Sequence, residues 1–139
     1  MKHIFLDTNV VLDFLLKRQP FAKDAATIFE LGKRKKLKLS VSSLSINNID
    51  YVISKLESRA KSRKIISQLI HLVEIQPVGK STVEKATQSE FKDFEDALQN
   101  YCAEEAKVST IVTRNVKDYN KSDLAILTPI ELLSVVSQE

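Results

Sequence analysis

Three acids and an amide, far apart in the chain, stand where an α/β fold brings side chains together: Asp7, Asp96, Asn115 and Asp118. Asp7 follows the short apolar run His3–Leu6 and precedes Val10-Val11-Leu12, which begin a helix. That order puts a carboxylate at the carboxyl end of a first strand, beside a helix N-terminus. Open α/β sheets collect ligands on this edge, near the point where strand order reverses. Provided the first and fourth strands are neighbours, Asn115 and Asp118, just beyond the apolar Thr110–Val112, join Asp7. Asp96 lies one turn inside the helix before that strand. Such a helix runs back toward the amino edge of the sheet, so its first turn is on the side of the site.

Clustered carboxylates repel one another and are costly to hold together without compensation. A hard divalent cation compensates them, and Mg²⁺ or Mn²⁺ takes oxygen ligands with waters completing the octahedron. An ion of this kind binds a phosphate oxygen, acidifies a bound water and stabilises a leaving group. The chemistry that follows is hydrolysis of a phosphodiester by a metal-activated water. Zinc is disfavoured, because neither histidine stands in ligand spacing with the single cysteine.

Each position also has an ordinary reading. Asp7 is placed to cap the helix that starts near Asn9. Asp96 suits the N-terminal turn of its helix through the macrodipole. Asn115 and Asp118 are common turn residues. Asp93 reads as an N-cap and is left out of the site, while Asp13 and Glu95 read as surface charges. The case for chemistry rests on the shared edge, not on any one residue.

The elements that position these groups are legible from period and punctuation. A first helix runs from about Asn9 to Leu16, with Asp13 and Lys17 at i,i+4, and breaks at Arg18-Gln19-Pro20. Phe21, Ala25, Ile28, Phe29 and Gly32 mark a second helix, and Leu37–Val41 a second strand. Ser42 or Ser43 caps a third helix carrying Leu44, Ile46, Ile49, Val52, Ile53 and Leu56, and a fourth spans about Ala60 to Ile70. Val73–Gln76 is a third strand. A weakly apolar helix over Thr82–Ser89 precedes the helix that carries Asp96. Leu124–Leu127 is a fifth strand, and Pro129 opens a last helix at the position where proline is favoured. Short apolar strands alternating with helices imply a parallel sheet covered on both faces, a three-layer α/β/α domain.

Composition agrees with one folded domain. The chain has 139 residues, 43% of them hydrophobic, with two glycines and three prolines, which argues against disorder. No stretch approaches the roughly 18 apolar residues of a membrane span, and the amino terminus lacks a signal-peptide pattern. A single cysteine suits a reducing compartment, so a cytoplasmic protein is expected. A net charge of +3 is too small to identify a nucleic-acid partner by itself.

Its distribution says more. Lys33-Arg34-Lys35-Lys36 ends a helix leading into a strand, on the edge opposite the site. Lys55, Arg59, Lys61, Arg63 and Lys64 gather at a helix–helix junction, where they could meet a phosphate backbone. Arg114, Lys117 and Lys121 flank the site more directly, and Arg114 is the candidate for a phosphate. Cys102 and His71 read as packing residues on helices, and His3 as a strand residue.

Three blocks in order carry a resemblance: Asp7-Thr8-Asn9-Val10, Asp93-Phe94-Glu95-Asp96-Ala97, and Thr113-Arg114-Asn115-Val116-Lys117-Asp118-Tyr119. They resemble the signature blocks of PIN-domain proteins, and the likeness extends to the Leu127-Thr128-Pro129 ending. The resemblance implies a five-stranded sheet of order 3-2-1-4-5 and a ribonuclease dependent on Mg²⁺ or Mn²⁺. Within the family the chain is most similar to the toxins of VapBC-type toxin–antitoxin pairs, which implies a small antitoxin partner and a homodimer. Carried over, Asp7 and Asp96 are metal-binding carboxylates, with Asn115 and Asp118 in the fourth acidic region.

The sequence departs from the family where a glutamate usually stands early in the helix after strand two. Here Ser45-Ile46-Asn47-Asn48-Ile49 offers amides, and Asn48 is the positional substitute. An amide oxygen ligates a cation or holds a water, but it brings no charge and cannot act as a base. Asn115 likewise replaces a frequent aspartate, so weaker metal binding is expected. The competing reading is a PIN-like module with a degraded site that binds RNA or a protein. A haloacid-dehalogenase-type phosphatase, which needs a second aspartate two residues after the first, fails at Asn9.

Overall fold

Ile4, Phe5 and Leu6 are fully enclosed, because the strand they form lies in the middle of the sheet with both faces covered. Ile4 and Leu6 join one hydrophobic cluster and Phe5 joins another, as expected when alternate side chains of a strand point to opposite faces. The computed structural model describes residues 1–138. The strands are β1 (Lys2–Leu6), β2 (Leu37–Ser42), β3 (Glu74–Gln76), β4 (Thr110–Val112) and β5 (Ala125–Leu127). All pairings are parallel, in the order β3-β2-β1-β4-β5.

The helices are α1 (Thr8–Leu15), α2 (Ala22–Lys33), α3 (Ser43–Leu56), α4 (Arg59–Leu69), α5 (Lys80–Thr87), α6 (Phe94–Glu105) and α7 (Pro129–Ser137), with a 3₁₀ turn at Val116–Tyr119. Their starts follow from local chemistry. Ser42, Ser58, Asp93 and Thr128 each accept from a backbone N–H of the first turn. Glu131 answers Thr128 in a capping box, and Pro129 occupies the first turn of α7.

One face of the sheet is covered by apolar residues of α1, α2, α3 and α7, including Val10, Val11, Ile28, Phe29, Ile49, Ile53 and Leu132. Gly32 lets α2 lie close on β2, since a Cβ there would stand 2.8 Å from Leu39 Cδ1. Cys102 and Ala103 of α6 pack with Phe5, Val108, Ile111 and Tyr119 on the other face. The three-layer architecture and the strand order therefore hold, with element ends shifted by a residue or two. No helix among the described residues is long and apolar enough to cross a membrane.

Two local expectations fail. α1 ends at Leu15 and Lys17 takes a left-handed conformation (φ 53°), so Lys17 leaves the helical face that would have paired it with Asp13. His71 is exposed in the turn after α4 and packs in no helix.

Candidate active site

β1 and β4 are adjacent, and the chain leaves both at the carboxyl edge of the sheet. Asp7 stands there as the N-cap of α1 and, at the same time, in the wall of a cleft. Its backbone N–H still donates to Val112 of β4, at 3.0 Å. Its Oδ1 accepts from the Thr8 N–H at 2.8 Å and its Oδ2 from the Thr113 hydroxyl at 2.7 Å. The capping role and the site role are thus held by one side chain. Burial pushes the Asp7 carboxyl above the usual aspartate range, against the pull of those two hydrogen bonds.

The first turn of α6 delivers the next groups. Asp93 caps it, accepting the Asp96 N–H at 2.9 Å, and so fixes where Asp96 and Glu95 emerge. Across the cleft, on the second turn of α3, Asn48 donates its amide to the Glu95 carboxylate. Asn115 and Asp118 arrive from the turn after β4, where the Asp118 N–H donates to the Asn115 carbonyl at 3.0 Å. Asp7, Asn48, Asp96, Asn115 and Asp118 all line one open cleft of about 390 Å³.

Glu95 is exposed, as its reading as a surface charge expects, and it lines the cleft too. The available signal was its place beside Asp96, in a helix turn that had already been assigned to this edge. Tyr51, one turn beyond Asn48, is another wall residue that period alone did not mark.

These carboxylates act on one another. Asp96 is pushed up to about 7, first by burial and then by Asp93, Asp7, Asp118 and Glu95. Burial, Asp93 and Asp7 also raise Glu95, which the Asn48 amide partly offsets. The buried Tyr119 hydroxyl is raised by desolvation and then by the same acids. Among the described residues, however, no three acidic, histidine or cysteine side chains form a ready-made metal cage. A cation that keeps most of its waters does not need one, since Mg²⁺ commonly takes only one or two carboxylates directly. The donor set consists of oxygens only, which fits Mg²⁺ or Mn²⁺.

Arg114 does not line the cleft. Its Nε lies 2.8 Å from Asp13 Oδ2, while Arg18 Nε donates to Asp13 Oδ1 at 2.9 Å. The Arg114 guanidinium also lies 4.0 Å from the centroid of the Phe21 ring. Asp13 is 1% exposed and so is no surface charge: it is a buried carboxylate gripped by two arginines.

Beneath the cleft a buried polar cluster joins the starts of α1 and α3 to the second turn of α6. The hydroxyls of Thr8 and Ser45 lie 2.6 Å apart, and the Gln99 amide donates to both. Ser42, the cap of α3, adds a hydroxyl bond to Ser45 at 3.3 Å. The relative placement of α1, α3 and α6, and so of Asp7, Asn48 and Glu95, is tied through this cluster.

A family profile described as the PIN domain matches residues 3–117. Ribonuclease VapC1 of Aquifex aeolicus (strain VF5) is 32% identical over 133 residues, covering 92% of this chain and 91% of that protein. Among solved structures, VapBC2 from Rickettsia felis, bound to a DNA fragment from its promoter, superposes with a TM-score of 0.72 at 18% identity. The match covers 91% of this chain and 98% of that one. A toxin–antitoxin complex from Klebsiella pneumoniae superposes with a TM-score of 0.69 at 18% identity, over 91% and 97% of the two chains. The ordered acidic blocks, the β3-β2-β1-β4-β5 sheet and the identity to a VapC ribonuclease together place this chain in the PIN-domain family, among its VapC-type members.

Proposed function

We propose that the chain is a metal-dependent endoribonuclease, the toxin of a toxin–antitoxin pair. The observation that carries this reading is the meeting of Asp7, Glu95, Asp96 and Asp118 in one open cleft, where burial, and then repulsion from the neighbouring acids, push Asp96 up to about 7. A divalent cation relieves that repulsion more completely than a proton does. Asp7, Asp96 and Asp118 are the carboxylates assigned to it, with Glu95 as a fourth. When bound, the ion supplies a Lewis acid for a phosphate oxygen and an acidified water.

The chain's own residues orient and select. Thr8 and Thr113 fix both oxygens of Asp7, so this carboxylate meets its ligand without searching rotamers. Asn48 holds Glu95 at the cleft wall and, being an amide, takes no proton itself. Asn115 offers a neutral amide beside Asp118, suited to a water or a phosphate oxygen. Arg114 is given no phosphate in this reading, because its charge is engaged by Asp13.

The remaining parts of the proposal have separate support. The ribonuclease relative supports RNA as substrate, and the likeness to toxin–antitoxin complexes supports an antitoxin partner. A homodimer follows from the family resemblance, and a cytoplasmic location suits a single buried thiol. The test is cleavage of a labelled RNA by the purified chain in Mn²⁺, in EDTA, and by Asp7→Asn in Mn²⁺. Cleavage in the first alone is expected. Calorimetry with no saturable Mn²⁺ heat, together with intact RNA in all three, would favour a binding module with a defunct site.

A further inference from the structure

Of the basic clusters, one shares a wall with the acidic cleft. Asn48 and Tyr51 of α3 line the cleft; Tyr51 also lines a second depression, of about 520 Å³, together with Asp50, Lys55, Arg59 and Arg63. Three cations face a single acid there. That acid is already engaged: Asp50 Oδ1 accepts from the Ser62 hydroxyl at 2.6 Å and from Ser54 at 3.2 Å, which ties α4 to α3. Arg59 and Arg63, one turn apart at the start of α4, form no ion pair among the described residues.

Tyr51 is 61% exposed, so its ring contributes little to the core and presents a free aromatic surface. The Lys55 ammonium sits 4.9 Å from the centroid of that ring. From Asn48 to Lys55 the helix rises roughly 10 Å, two turns. An acidic cleft, an exposed ring and Lys55 thus follow one another along α3, and Arg59 and Arg63 of α4 continue the series. An exposed aromatic interleaved with cations is the arrangement that holds single-stranded nucleic acid: bases stack on the ring and phosphates meet the cations. Lys33–Lys36 lacks this continuity. Lys35 and Lys36 border a depression with Met1 and Lys2, at the amino edge of the sheet and away from the cleft.

We propose that the α3–α4 face is a subsite for single-stranded RNA, with Tyr51 stacking on a base next to the scissile bond and Arg59 and Arg63 holding the phosphates beyond it. The subsite rests on the ribonuclease reading for its substrate, but its occupancy needs no cleavage. It gives the cleft a direction, because one flank of the strand is bound on α3–α4 before any charge at the acids is neutralised.

The test is fluorescence anisotropy of an end-labelled, unstructured oligoribonucleotide on the full chain, in EDTA so that the strand stays intact, over a series of salt concentrations. Arg59→Ala combined with Arg63→Ala is expected to weaken binding about tenfold or more at low salt. It should also lower the slope of log K against log salt by about 1.4, at about 0.7 for each single-strand phosphate contact. Tyr51→Ala should weaken binding about five- to tenfold while Tyr51→Phe stays within about twofold, because stacking needs the ring and not the hydroxyl. The control removes as many charges at the other edge, by Lys33→Ala with Lys36→Ala, and should leave both affinity and slope nearly unchanged.

Equal losses in the control would mean bulk electrostatics and overturn the subsite. So would unchanged binding in the α3–α4 variants, which would leave a protein partner as the occupant of this face, and so would an unaltered chain that binds no RNA. The two readings separate cleanly. Loss of binding in these variants of a chain that never cleaves keeps the subsite and removes the nuclease; unchanged binding in a chain that cleaves does the reverse.

Discussion

Asn48 donates its side-chain amide to the carboxylate of Glu95, joining α3 to α6 across the mouth of the cleft. Where the family resemblance implies a glutamate the chain has this amide, and a carboxylate stands at the same wall, delivered from another helix. Asn48→Glu would set two acids against each other. In the metal-free chain the Tm is therefore expected to fall by a few degrees. With Mn²⁺ the added charge should tighten binding by about tenfold, since ligand charge count tunes the affinity of oxygen sites. Glu95→Gln should instead weaken binding. Calorimetry and Mn²⁺-dependent Tm shifts read both, and an affinity indifferent to position 95 would remove Glu95 from the site.

Asp96 has a consequence for stability against pH. Its carboxyl is raised from an ordinary 3.8 to about 7, so between those values the folded chain binds more protons than the unfolded one. Stability of the metal-free protein therefore rises as pH falls from about 8 toward 5, and the contribution is lost as pH rises through the folded pKa. Asp7 and Glu95, also raised, add in the same direction. Asp96→Asn should lift the Tm at pH 8 by a few degrees, at about 3 °C per kcal/mol in a chain of this size, and flatten the pH profile. Thermal melts at pH 5.5 and pH 8 in EDTA check it. A wild-type Tm that rises with pH over this window would contradict the crowding of acids.

How much of this could be read from the chain depends on how local each signal is. The strands and helices were legible because apolar period and caps such as Ser42, Asp93 and Thr128 act within a turn. Asp7 and Asp96 were legible because topology alone carries a strand end and a following helix start to one edge. The strand order itself came from the family resemblance, since period does not say which strands are neighbours. Glu95 was missed as a cleft residue, although it stands beside Asp96, because its partner Asn48 lies in another helix. Asp13 was missed for the same reason: the i,i+4 rule offered Lys17, while its partners are Arg18 and the distant Arg114.

Asp13 with Arg114 yields a prediction that separates a structural arginine from a phosphate-binding one. A buried carboxylate that loses one of two guanidinium partners is left under-compensated, and charged hydrogen bonds are worth about 1.5–3 kcal/mol. Arg114 is 24% exposed, so Arg114→Ala should cost near the lower figure, about 1.5 kcal/mol in urea denaturation. Its RNA affinity at fixed salt should stay within about twofold of the parent. A stable variant that binds RNA much more weakly would return Arg114 to the substrate.

The polar cluster under the cleft predicts unequal effects at two of its members. Ser45 Oγ meets Thr8, Ser42 and Gln99, so Ser45→Ala removes three buried hydrogen bonds at once; Thr8 and Gln99 keep each other, and the Ser42 hydroxyl loses its acceptor. Leaving buried donors unpaired costs about 1–3 kcal/mol, and here it also loosens the start of α3, one turn before Asn48. Gln99 differs, because its Oε1 already lacks a partner in the folded chain. Gln99→Leu removes that orphan together with two donated bonds, and Thr8 and Ser45 keep each other at 2.6 Å. The leucine should therefore cost less than about 1 kcal/mol. Urea denaturation ranks the two variants. Mn²⁺ affinity then distinguishes a cluster that merely stabilises from one that places the acids: in the second case Ser45→Ala weakens metal binding even where the chain remains fully folded.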